Sequence, residues 1–113
     1  MNKLFDNHMT EGKGFLNDLR TVARNVMPEN SRVVLFGSQA RGDARKDSDW
    51  DLLLLMQNKL SRKEAFERFA YPFVETGWEH GADVNPLLYT FDEWYQRRFT
   101  PFYANVEKEG IDL

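Results

Sequence analysis

RVVLFGSQARGDARKDSDWDLLLL, running from Arg32 to Leu55, holds two apolar runs and a polar connection between them. Arg32 to Phe36 is β-branched and aromatic and ends at Gly37-Ser38, and Trp50 to Met56 is apolar without alternation, so both read as buried strands. They are joined by only Ser38 to Asp49. If the two pair antiparallel, the end of the first and the start of the second meet at one rim of a sheet.

Outward from this core, Phe15, Leu16, Leu19, Val22, Ala23 and Val26 recur at helical spacing, which predicts a helix from Glu11 to Met27, stopped before Pro28. Ser61 and Glu64 form a capping-box pattern ahead of Ala65, Phe66, Phe69, Ala70 and Phe73; a helix from Arg62 to Glu75 follows, with Pro72 as a kink or an early end. Ala82 to Tyr89 reads as a third strand in which Pro86 requires an edge or a bulge. Thr90 with Glu93 caps one more helix, and Thr100-Pro101 opens a last one that Gly110 closes. A crossover helix between the second and third strands makes them parallel, with a right-handed connection. The start of the third strand therefore reaches the same rim, and Gly37-Ser38, Asp49, Asp51 and Asp83 are expected to converge there. The expected architecture is α/β, a small mixed sheet flanked by helices, with residues 1–113 forming one domain.

Composition narrows the classes of function. A net charge of −3 gives no broad electrostatic footprint for genomic nucleic acid. The absence of cysteine removes disulfides, thiolate metal sites and cysteine nucleophiles at once and suits a reducing compartment. Residues 1–10 lack the apolar core of a leader, and no run approaches a membrane span, so a cytoplasmic protein is expected.

The rim residues carry chemistry. Along an extended strand Asp49 and Asp51 project to one face while Trp50 takes the other, and with Asp83 three like charges crowd together. Either a carboxyl pKa rises or a cation binds; an oxygen-ligated divalent ion such as Mg²⁺ relieves the repulsion and leaves positions for phosphate and water. A pair of such ions suits in-line phosphoryl displacement. Gly37 lets backbone N–H groups approach a phosphate, Ser38 adds a hydroxyl, and Arg41 is one short turn away, within reach of a triphosphate. No Walker-type GxxxxGK[ST] is present.

The run Leu35-Phe36-Gly37-Ser38-Gln39-Ala40-Arg41-Gly42 followed by Ser48-Asp49-Trp50-Asp51-Leu52 closely resembles the signature of the polymerase-beta-like nucleotidyltransferase superfamily, in its minimal nucleotidyltransferase branch. The resemblance implies a polymerase-beta-like fold and Mg²⁺-dependent transfer of a nucleoside monophosphate from an NTP, with release of pyrophosphate. It matches Gly37 and Ser38 to the phosphate-binding pair and Asp49 and Asp51 to the metal-ligand pair. Asp83 matches the third carboxylate, a metal ligand able to take the proton of the attacking hydroxyl. The branch is similar to antitoxins that add AMP from ATP to a tyrosine hydroxyl of a HEPN-type toxin, so protein AMPylation of such a partner is the leading expectation. Transfer to a small hydroxylated molecule, as in aminoglycoside nucleotidyltransferases, and neutralisation of the partner by contact alone are the alternatives. His8 and His80 are read as surface residues, and Trp78, Trp94, Tyr95, Phe99, Phe102 and Tyr103 as core or a protein interface.

Overall fold

The computed structural model describes residues 3–113, with side chains from Gly14 onward, so His8 lies outside the described side chains. Its elements are α1 (Lys3–Val26), β1 (Arg32–Phe36), α2 (Ser38–Arg41), β2 (Trp50–Leu55), α3 (Arg62–Ala65), a π turn (Phe66–Ala70), α4 (Tyr71–Glu79), β3 (Val84–Tyr89), α5 (Phe91–Tyr95), α6 (Pro101–Glu109) and β4 (Ile111–Asp112). No described helix is long and apolar enough to cross a membrane.

The four strands form one mixed sheet in the order β3-β2-β1-β4. β1 and β2 run antiparallel with Phe36 opposite Asp51, and β2 and β3 run parallel with Trp50 opposite Val84 and Asp51 opposite Asn85. Both pairings are those expected from the connections. The central strands have no polar face because both faces are covered. On one side Val33, Leu35, Leu52, Leu54 and Val84 pack with Phe15, Leu19, Phe69 and Phe73; on the other Val34, Leu53 and Leu55 pack with Trp94 and Val106. Burial of these side chains, at about 25 cal/mol per Å² of apolar surface removed from water, is the main force holding the layers together.

Five elements depart from expectation, the first being α2, a single helical turn inside what reads as a connection. α1 begins at Lys3 rather than Glu11. The helix after Ser61 does not stop at Glu75 but continues to Glu79, because the π turn Phe66–Ala70 lies just before Pro72. A wider turn accommodates the missing N–H and the ring of the proline, which would clash in a regular helix. β3 starts at Val84, two residues later than expected, and Pro86 is tolerated because β3 is an edge strand. Finally, Gly110 is followed by a strand: β4 pairs antiparallel with β1, Val34 opposite Asp112. A Cβ on Gly110 would stand 2.5 Å from both Val34 Cγ1 and Val106 O, so only glycine lets the chain pass so close to β1.

Side-chain ties then fix the far end of the sheet. Arg32 donates to Glu107 and to Asp112, each at 3.0 Å, and Trp94 Nε1 donates to the same Glu107 at 2.8 Å. The capping box expected at Thr90 is complete, Thr90 Oγ1 accepting from Glu93 N–H and Glu93 Oε1 from Thr90 N–H, whereas at Ser61 only half forms: Ser61 Oγ accepts from Glu64 N–H, and the Glu64 carboxylate accepts from the Ser61 hydroxyl rather than from its backbone. Trp94 is core and Tyr103 packs beside it, whereas Trp78, Tyr95 and Phe99 are exposed. His80 is a surface residue paired with Asp18 at 2.8 Å.

Candidate active site

The rim where β1 ends and β2 and β3 begin is built around one glycine. Gly37 has φ 78° and ψ −159°, a conformation essentially closed to other residues, and it turns the chain from β1 straight into α2. Its Cα faces Asp51, whose Oδ2 would lie 2.5 Å from any Cβ placed there. The missing side chain is therefore what lets the backbone turn and the carboxylate share one place. α2 is a single turn in which Gly37 C=O accepts from Ala40 and Arg41 N–H at 3.1 Å, and Gly42 ends it in the left-handed region with φ 84°. The amide N–H groups that open a helix find no partner inside it, so Ser38 and Gln39 start the turn with donors available to an anion.

The connection back to β2 is braced. Gln39 Nε2 donates to Ser48 C=O at 3.2 Å, and Ser48 Oγ accepts from Arg45 N–H at 2.7 Å. Asp49 thus enters β2 from a held loop. Trp50 turns to the opposite face, where its ring meets Phe15 edge-to-face at 4.8 Å, and this leaves Asp49 and Asp51 on the α6 side of the sheet as alternation requires. Burial raises the Asp51 carboxyl above the usual carboxylate range; the Asn85 amide draws it down, the Asp49 charge pushes it up, and the Arg41 guanidinium lowers it.

Asn85 is the residue that the sequence reading missed. It sits opposite Asp51 in the β2–β3 register, and its Nδ2 donates to Asp49 Oδ2 at 2.8 Å. Alternation carries the signal for it: Asn85 is two residues beyond Asp83, hence on the same face of an extended chain. Asp83 itself reaches the rim through its backbone, its C=O accepting from Trp50 N–H at 2.9 Å. The expected three-carboxylate convergence is not assembled: among the described residues no group of three or more acidic, histidine or cysteine side chains is placed to hold a metal ion. Asp83 precedes β3, so the ladder does not fix its side chain as it fixes Asn85.

Arg41 is paired with neither carboxylate of the pair: its Nε lies 3.3 Å from Asp43 and its Nη1 3.5 Å from Glu109. Both partners are exposed enough for solvent to weaken the pairs, so an incoming polyanion can replace them at small cost. The rim thus holds an all-oxygen acidic pair, a glycine turn with free donors and a movable guanidinium. A single hard divalent cation fits the pair, with its remaining ligands left to water or phosphate.

Residues 16–112 match the family model of the nucleotidyltransferase domain. A candidate protein adenylyltransferase of Methanocaldococcus jannaschii is 40% identical over 101 residues, which span 89% of this chain and 93% of that one. Among solved structures, a toxin–antitoxin complex with AMP-PNP superposes with a TM-score of 0.57 at 18% identity, over 85% of this chain and 69% of that one. A mutant form of the toxin–antitoxin pair MntA–HpeT gives a TM-score of 0.58 at 22% identity, over 86% of this chain and 69% of that one. At these identities the structural likeness is one of fold.

Proposed function

The chain belongs to the nucleotidyltransferase domain family, and from that premise we propose that it acts as one domain to transfer AMP from ATP to a hydroxyl of a partner protein, a HEPN-type toxin for which it is the antitoxin. The observation that carries the chemistry is the contact of Gly37 with Asp51, which puts the glycine turn and the acidic pair within one side chain of each other. The protein acceptor and the antitoxin role draw support from the adenylyltransferase name of the M. jannaschii relative and from the toxin–antitoxin complexes that share the fold.

In this reading the N–H groups at the start of α2 and the Ser38 hydroxyl hold the β- and γ-phosphates, and Arg41 leaves Asp43 and Glu109 to neutralise them. Asp49 and Asp51 hold Mg²⁺, which supplies charge neutralisation at the phosphate that reacts. Asn85 keeps the Asp49 carboxylate oriented by donating to its Oδ2. The acceptor oxygen bonds to the α-phosphorus as the bond to the β-phosphate oxygen breaks, pyrophosphate leaves, and the hydroxyl proton passes to the Asp83 carboxylate, whose side chain precedes β3 and has to turn toward the acidic pair to take it.

Co-expression with the protein encoded beside it tests the reading, because an intact-mass measurement reports AMP on the partner as a discrete increment. Wild type is expected to add it, and Asp83→Asn to co-purify with the partner without adding it, since the carboxylates act on the transition state and contribute little to packing between the proteins. A partner that is fully neutralised by wild type yet gains no mass would replace the enzyme reading with neutralisation by contact.

A further inference from the structure

Behind the acidic pair, on the opposite face of β2, a chain of ring contacts leads out of the core to a charged group. Trp50 stands between Asp49 and Asp51, and its ring meets Phe15 of α1. Phe15 is buried and also meets the His80 imidazole, with ring centroids 5.0 Å apart. His80 follows the last turn of α4, and both of its ring nitrogens are engaged: Nε2 lies 2.8 Å from Asp18 Oδ2 and Nδ1 2.9 Å from Thr76 C=O. A carboxylate and a carbonyl only accept, so a neutral ring, with its single N–H, serves one of them and faces the other with a lone pair. The imidazolium serves both. Thr76 C=O is one of the last four carbonyls of α4, where a cation is favoured. Among the described residues Asp18 is the one carboxylate within 4 Å of the ring nitrogens; Phe15 brings no charge, and the next charges along the chain are Glu79 and Asp83.

The backbone from His80 arrives at the same place. Gly81 turns it at φ 69°, Ala82 N–H donates to Gly77 C=O at 2.9 Å, Asp83 C=O accepts from Trp50 N–H, and Asn85 holds Asp49 Oδ2. We infer that His80 is a positioning residue for the acidic pair: as an imidazolium it pins the end of α4 to α1, which fixes Trp50 from behind and the Asp83–Asn85 segment from the side. It touches neither carboxylate. Its role in the reaction rests on the reading of Asp49 and Asp51 as the metal-binding pair. The side chains of His80 and Asp18 are 37% and 52% exposed, so the tie has the strength of a solvent-screened pair and transmits no more than that to the rim.

Nuclear magnetic resonance against pH tests the tie on metal-free protein. In wild type the Trp50 indole and Asn85 side-chain amide signals are expected to shift with the same midpoint as the His80 ring protons. His80→Phe keeps a ring against Phe15 and removes the ion pair, and that step is expected to be absent from it. A residue that only supports packing gives no such step, whatever its variant does to the melting temperature. Mn²⁺ affinity, read from the free-ion electron-spin signal, adds a sign. Proton loss from the carboxylates strengthens binding as pH rises, whereas release of His80 weakens it by about twofold to threefold, the scale of one exposed ion pair. Asp18→Asn is expected to carry the weaker affinity at every pH, and His80→Phe added to it to cost nothing more. Trp50 and Asn85 signals that ignore the His80 midpoint, or that keep the step in His80→Phe, would overturn the inference. Wild type that shows the step yet binds no Mn²⁺ would overturn the metal reading and leave the hold of His80 on the pair in place.

Discussion

Replacing Gly37 with alanine puts a methyl carbon where the Asp51 carboxylate already is. The new Cβ would stand 2.5 Å from Asp51 Oδ2 and 3.5 Å from its Cγ, so the conflict is with the end of one side chain, which can swing away. Swinging away takes Asp51 out of the pair with Asp49 and away from Asn85. The backbone has no such escape: φ 78° and ψ −159° lie in a region that non-glycine residues enter at a cost of about 1–3 kcal/mol. For a domain of this size that corresponds to a loss on the order of 5–15 °C in melting temperature. Affinity for AMP-PNP should fall further than stability does, because both the donors of α2 and the acidic pair are displaced. Scanning calorimetry and titration read the two effects separately. The double variant Gly37→Ala with Asp51→Ala resolves the cause, recovering the stability lost to the clash and none of that lost to the backbone. If Gly37→Ala melts and binds AMP-PNP as wild type does, the glycine turn is not the cradle and the reasoning fails.

Other perturbations follow from the same geometry. Burial raises the Asp51 pKa in the folded state, so its protonated form favours folding at acid pH and that contribution is lost as pH rises through the folded pKa. Asp51→Asn should then raise the melting temperature of metal-free protein at pH 7 and gain nothing near pH 4; an equal gain at both values would exclude a charge effect. Asn85→Asp places a third carboxylate opposite Asp51 and should tighten Mn²⁺ binding, measured by the loss of the free-ion electron-spin signal, while lowering metal-free stability. Unchanged Mn²⁺ affinity would place Asn85 outside the metal's reach. The Arg32 hydrogen bond, with help from Trp94, holds the Glu107 carboxyl below its ordinary range against the effect of burial. The stability this supplies is present above the unfolded carboxylate pKa and lost as pH falls through the folded one. Glu107→Gln should therefore cost about 1 kcal/mol at pH 7, after allowance for solvent screening, and progressively less in acid by urea titration; a cost independent of pH would assign the effect to packing.

Three strands, the direction in which they pair and the face shared by Asp49 and Asp51 are decided by local pattern: uninterrupted apolar runs, connection lengths and alternation along an extended chain. The caps at Ser61, Thr90 and Thr100 are equally local, since each uses a hydroxyl and an N–H three residues apart. The helix past Pro72 was not legible because a π turn two to six residues upstream absorbs the proline, and no short-range pattern announces it. β4 has no local signature, since two residues form a strand only when β1 offers an open edge beside them. The same distinction holds at the rim. Composition and spacing determined which residue types are present there: a glycine, a hydroxyl, an arginine and a carboxylate pair. Only the β2–β3 register decided that Asn85, and not the Asp83 side chain, stands opposite Asp51, and only the path of α6 across the sheet brought Phe102 and Asn105 beside Gly37. The physical reason is range: alternation and capping act over two to four residues, while register and helix docking are set by how two buried faces fit together across dozens.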